Sequence, residues 1–132
     1  MMPEDAVDFV TKTISSSVKE TVARFIDLLS SKNLSVFAVI DQREEAEKVG
    51  LNLRETVLVV FGDPRAGTPV MDAAPLAALD LPLKVLIWWD DGLTKVSYVA
   101  PSTLVARYQL EGELATKLNG INPLTDALVA SE

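Results

Sequence analysis

LKVLIWWDDGLTKVSYVA, residues 83–100, is the stretch on which the fold turns. Two β-rich runs, LKVLIWW (83–89) and LTKVSYVA (93–100), flank Asp90-Asp91-Gly92. An Asp-Gly pair supplies the positive-φ residues of a two-residue hairpin turn, so the runs pair antiparallel. Side chains alternate along a strand, which sends Trp88 and Trp89 to opposite faces. Leu86 and Trp88 alternate with Val85, Ile87 and Trp89, so both faces of this strand are apolar and both want cover.

Working outward, TVLVVF (56–61) reads as a strand apolar on both faces, and LSVFAVI (34–40) as another. AVDFVTKTI (6–14) alternates well enough for a first strand. Ser17-x-x-Glu20 is a capping box, and Val18, Val22, Phe25, Ile26 and Leu29 recur at helical spacing over 18–31. REEAEKVG (43–50) is a short helix closed by Gly50 in the left-handed region. Pro69–Leu79 reads as a helix with Thr68 as N-cap and Pro69 at its first position. Helices follow over 102–109, 112–119 and 123–130.

The order is β-α-β-α-β-α-β-β-α-α. It argues for a single α+β domain: a mostly antiparallel sheet of about five strands with helices on one face. The second face is covered by a second subunit or by the C-terminal helices, and the first account is preferred. Leu86, Trp88 and Trp89 are then the candidate interface residues, Trp being enriched at such anchors.

Composition narrows the chemistry. The 132 residues contain no Cys and no His. Ser-His-Asp and Cys-His nucleophile systems are thereby excluded, as is any zinc, copper or iron site built on imidazole or thiolate. The 19 carboxylates against 12 Lys and Arg give a net charge of −7, which disfavours nucleic acid and anionic membrane surfaces as partners. No apolar run approaches the ~20 residues needed to span a bilayer, and the acidic N-terminus does not look like a signal peptide, so a cytoplasmic protein is expected. A hydrophobic content of 48% is high for a small acidic domain and points to a surface buried by a partner.

FGDPRAGTPVM (61–71) is the segment most open to a functional reading. Gly62 and Gly67 allow positive φ and close backbone approach. The amides of a helix opening at Thr68-Pro69 would attract an anion, and Arg65 would clamp it. No Walker loop, dinucleotide fingerprint or nucleophile elbow is present. A plain strand-to-helix turn is the competing reading. Asp63 and Arg65 are placed to pair, and Asp80 to pair with Lys84 or Arg65. Asp90-Asp91 is turn chemistry before it is a cation site. The hydroxyls of Tyr98 and Tyr108 call for partners if buried.

VLVVFGDPRAGTPVM (57–71), PLAALDLPLKVLIW (75–88), and VSY (96–98) with the following Pro101 carry a resemblance. Together they resemble the domain-of-unknown-function family number 302, over nearly the whole chain. The resemblance implies a curved antiparallel sheet backed by helices, similar to the TATA-binding-protein-like arrangement, and a homodimer. It implies no established activity, and the shape is not evidence of DNA binding. Where the family pattern carries a His after Ile40-Asp41, this chain has Gln42. It has Asp63 and Arg65 in place of Asn and Lys, Asp72 in place of Gln, and Trp89 in place of Glu. Val99-Ala100 replaces Asn-Asp. The shaping Gly and Pro residues and Asp41 are kept, so fold retention with drift of polar groups is the simplest reading.

The favoured expectation is a non-catalytic homodimeric domain that binds a small anion or polar metabolite near Asp41, Asp63, Arg65, Thr68 and Tyr98. No cofactor, metal or catalytic residue is assigned. The alternatives are a carboxylate enzyme, with Asp41 or Asp63 as base and Arg65 as stabiliser, and a purely structural interaction module.

Overall fold

The computed structural model describes residues 8–131. Five strands form one sheet: β1 (Phe9–Ile14), β2 (Ser35–Asp41), β3 (Thr56–Gly62), β4 (Leu83–Asp90) and β5 (Leu93–Val99), in the spatial order β1-β5-β4-β3-β2. Every pairing is antiparallel. The first strand was expected from residue 6; residues 6 and 7 lie outside the described residues. The β4–β5 hairpin turns as its sequence demands, with Asp91 at φ 51° and Gly92 at φ 78°.

The helices are α1 (Val18–Ser31), α2 (Gln42–Lys48), α3 (Pro64–Ala73), α4 (Pro101–Arg107), α5 (Gly112–Thr116) and α6 (Ile121–Ala130). A 3-10 turn, Pro75–Leu79, follows α3. Ser17 and Glu20 form the capping box of α1, and Gly50 is left-handed at φ 77°, as expected.

One core lies between the sheet and the pair α1 and α6. Val57, Val59, Phe61, Val85, Ile87 and Val96 alternate onto this face and meet Phe25 and Leu29 of α1 and Leu124 and Leu128 of α6. Phe25 and Phe61 cross edge to face at 5.3 Å between centroids. A smaller core at one end of the sheet gathers Val70 of α3, Ala77, Leu104 of α4 and Leu118. Asp80 joins these pieces, accepting from Arg107 Nη1 at 2.8 Å and from the Tyr108 hydroxyl. The partners expected for Asp80, Lys84 or Arg65, are not the ones it takes.

Since α6 shares its face with α1, this C-terminal helix does not cover the second face. There Ile40, Leu58, Leu86 and Ser97 pair in one row across four strands. Leu58, Leu86 and Trp88 are half-buried and belong to neither core. Trp88 Nε1 donates to Ser97 Oγ at 2.9 Å on this face. Trp89 points to the helical side but lies at the strand end, 39% exposed. The three candidate interface residues therefore do not share one surface.

Candidate functional site

The 61–71 segment departs from expectation. Its helix begins at Pro64, not Pro69, so Gly67, Thr68 and Pro69 are helical residues rather than loop. Asp63 is the N-cap and Pro64 holds the first position, a pair whose local chemistry matches that of Thr68-Pro69. Neither Gly62 nor Gly67 has a positive φ. Nor does crowding require glycine at Gly62, where an added Cβ would make only ordinary contacts. A Cβ there would lie 3.7 Å from Phe37 Cε2 and 3.6 Å from Pro82 Cβ.

The anion cradle expected at this helix start is filled by the chain itself. The Arg65 amide donates to Asp63 Oδ1 at 2.9 Å, and the amides of Ala66 and Gly67 both donate to the Asp63 carbonyl at 2.9 Å. Arg65 Nε reaches the same Oδ1 at 3.0 Å. The Arg65 side chain, then its amide, hold the Asp63 carboxyl below the usual carboxylate range, with a smaller pull from Lys117. Arg65 thus has a partner, and it lines neither of the clefts described next.

Two adjoining clefts flank this segment. The first, about 150 Å³, lies under α3 against Phe37, Met71, Leu81, Leu83 and Leu118. Phe37 is the extra residue of a bulge between Val36 and Ala38, which re-aims its side chain. The second, about 360 Å³, opens between β3 and α6 and is bounded by Lys32, Leu34, Phe61, Ile121 and Leu124. Gly62, Asp63, Ala66, Leu83 and Lys117 line both. Lys117 is half-buried, and among the described residues neither Lys117 nor Lys32 forms an ion pair. The apolar walls and these ammonium groups together suit a small molecule with an apolar body and a negative head.

Of the five candidate site residues, Asp63, Arg65 and Thr68 stand together; Asp63 and Thr68 line the first cleft. Asp41 does not join them. It pairs with Val57, whereas Gly62 pairs with Ser35 at the other end of the same strands. At ~3.4 Å per residue that separates Asp41 from Asp63 by roughly 20 Å. Asp41 caps α2, accepting the Glu44 amide at 2.9 Å. Convergence of the two carboxylates on one point would have supported the enzyme reading, with Asp41 or Asp63 as base, and this arrangement does not form.

Tyr98 is also elsewhere. It is buried on β5, and its hydroxyl donates to Asn122 Oδ1 at 2.6 Å and accepts from Thr125 at 3.3 Å. Lys12 Nζ sits 5.3 Å above its ring and pairs with Asp126 at 2.8 Å. Burial opposes the charge on Lys12, yet hydrogen bonds to Asp126 and Tyr98 outweigh it and hold the ammonium above its ordinary range. This polar cluster ties the sheet to α6 and leaves Tyr98 no free polar atom for a ligand.

Sequence reasoning missed Lys117, Lys32, Phe37 and Leu118. No local pattern marks them, because tertiary packing alone brings them to Asp63. Among the described residues no three His, Cys, Asp or Glu side chains gather in a metal-binding group, and no helix is long and apolar enough to cross a membrane.

Comparison with known proteins adds three relations. An uncharacterized conserved DUF302 protein from Bacillus stearothermophilus, known from its crystal structure, superposes with a TM-score of 0.79 at 21% identity. That match covers 93% of this chain and 96% of the other, and it establishes likeness of fold. Two proteins named fluoride-specific ion channel FluC 1, from Brucella suis and Brucella abortus, are each 36% identical over 103 residues, or 76% of this chain. The chain spans only 40% and 38% of their lengths. The family model described as a domain of unknown function matches residues 10–128, and this chain belongs to that family, DUF302.

Proposed function

We propose that this chain is a non-catalytic, homodimeric, cytoplasmic domain that binds a small anionic or polar ligand beside residues 62–69. The observation that carries the reading is Lys117, a half-buried ammonium without an ion pair among the described residues, shared by two adjoining clefts. The Arg65 side chain, then the Arg65 amide, hold the Asp63 carboxyl below the usual carboxylate range, which makes it a poor base near neutral pH. A thermal-shift screen of inorganic and organic anions tests the reading. At least one anion is expected to raise the melting temperature, and Lys117→Ala to abolish that rise. No response to any anion overturns it.

The dimer is supported by the uncovered sheet face around Leu58, Leu86 and Trp88. Sedimentation velocity is expected to give a dimer, and Leu86→Glu a monomer. A monomeric wild-type protein sinks the dimer proposal and leaves the ligand proposal standing.

The channel relatives favour a second reading, in which this domain accompanies a membrane channel and its anion is fluoride. Fluorine NMR of fluoride titrated with the protein separates the two. Broadening or a shift that Lys117→Ala removes supports the channel-linked reading, and an unchanged fluoride line removes it.

A further inference from the structure

Resting on the reading above, we infer a ligand class for the cleft: a small monocarboxylate with a benzene-sized apolar body, its carboxylate on Lys117. Size comes first. The cleft under α3 holds about 150 Å³. An apolar cavity of that volume, ~150 Å³, accepts a benzene ring. The cleft is open toward its larger neighbour, so this volume sets the body that the apolar walls enclose, and a fused-ring system or a nucleoside would extend beyond them.

The chemistry of the walls comes second. Phe37, Met71, Leu81, Leu83 and Leu118 present carbon and sulfur to the interior. Met adapts to irregular apolar surfaces and makes favourable contacts with aromatic rings, and Phe37 offers a ring edge or face. A phosphate or sulfate drawn fully into this space would be stripped of water with only Lys117 and the Thr68 hydroxyl among the lining side chains to donate in return, which is costly for a charge. A flat hydrocarbon body loses nothing there.

Charge comes third. Lys117 stands where the cleft meets its larger neighbour, so a head group on it faces the wetter space bounded by Lys32. Asp63 is the one acidic group among the lining residues of either cleft, and Arg65 Nε engages its Oδ1 at 3.0 Å. A single negative head on Lys117 therefore meets no unneutralised carboxylate. A dianion would need a second close cation. Lys32 borders only the larger cleft and is exposed, so the monoanion is favoured.

The test uses phenylacetate as probe, 2-phenylethanol as its neutral analogue and inorganic phosphate as the bare anion. Each is titrated into the isotope-labelled full chain and followed through amide resonances. Phenylacetate is expected to shift Gly62, Gly67 and Leu118. Its affinity is expected to fall about tenfold, equal to ~1.4 kcal/mol, in Lys117→Met, which keeps an apolar stem without the charge. 2-Phenylethanol is expected to bind wild type about tenfold more weakly than phenylacetate and to bind Lys117→Met as it binds wild type. Equal binding of phenylacetate by wild type and Lys117→Met overturns the inference. Phosphate shifting these amides while phenylacetate does not overturns the ligand class but leaves the broader anion reading intact. Silence from all three probes overturns the ligand class, and the anion screen above then decides the broader reading.

Discussion

Arg65 Nε stands 3.0 Å from Oδ1 of Asp63, the oxygen that also accepts the Arg65 amide at 2.9 Å. One carboxylate oxygen thereby starts the helix and neutralises the cation that follows it. The two roles are separable. Asp63→Ala removes the cap and is expected to lower the melting temperature by several degrees. Arg65→Ala leaves the cap in place and removes an exposed ion pair, a kind of contact that contributes little, so it is expected to change the melting temperature hardly at all. Differential scanning calorimetry of both variants checks the order; equal losses would contradict it.

Gly67 sits inside α3 without a positive φ, and a Cβ there would meet Met71 Cε at 3.8 Å, an ordinary contact. A helical glycine costs about 1 kcal/mol relative to alanine. Gly67→Ala is expected to stabilise the fold by about that amount, read from the urea midpoint at unchanged m. Destabilisation would show that the segment relies on glycine for some other conformation.

Thr94 is fully buried on β5, opposite Ile14 and Trp89, and its Oγ1 has no hydrogen-bond partner among the described residues. A buried hydroxyl left unpaired carries its desolvation cost without return. Thr94→Val keeps the branched shape and is expected to raise stability by about 1 kcal/mol in urea denaturation. A loss of similar size would indicate a partner for the hydroxyl.

Asp80 gives a pH prediction. Hydrogen bonds from Tyr108, then from Arg107, outweigh burial and lower its folded-state pKa. A lowered carboxyl pKa contributes stability that is fully present above the unfolded value of about 3.9 and is lost as pH falls through the folded value. The stability gap between wild type and Asp80→Asn is therefore expected to be constant near neutrality and to shrink below about pH 4. Tyr108 has the opposite sense. Its pKa is raised, chiefly by the Asp80 hydrogen bond, so its contribution holds below about pH 10 and fades above that. Chemical denaturation at stepped pH, with Tyr108→Phe as the second variant, measures both limbs. A gap that does not change with pH would refute the linkage.

Local rules were sufficient wherever neighbours in sequence are also partners in structure. Ser17 and Glu20 bond each other across one helical turn, and Asp91-Gly92 adopts the two positive φ values of a hairpin tip. Alternation in TVLVVF puts Val57, Val59 and Phe61 on one face, and that face is the core. The order of the elements along the chain and the antiparallel β4–β5 hairpin follow from such short-range terms.

Tertiary structure alone decided three things. The sequence reading placed a helix start at Thr68-Pro69, and Asp63-Pro64 carries the same local chemistry, although a start there leaves Pro69 inside the helix at a cost of ~3 kcal/mol. The earlier start prevails with Val70 fully buried against the second core and Asp63 bonding the Arg65 amide. The face covered by α6 depends on where Leu124 and Leu128 find Phe25 and Ile87, contacts no helix pattern encodes. The cleft depends on Lys117, Phe37 and Gly62, which are remote in sequence and adjacent in space. The sequence by itself determined which residues form elements and which face of each is apolar, because those depend on periodicity and on groups within a few residues. Only the tertiary structure determined which apolar face meets which, and hence where an unpaired ammonium stands beside an open cleft, because those contacts join groups far apart along the chain.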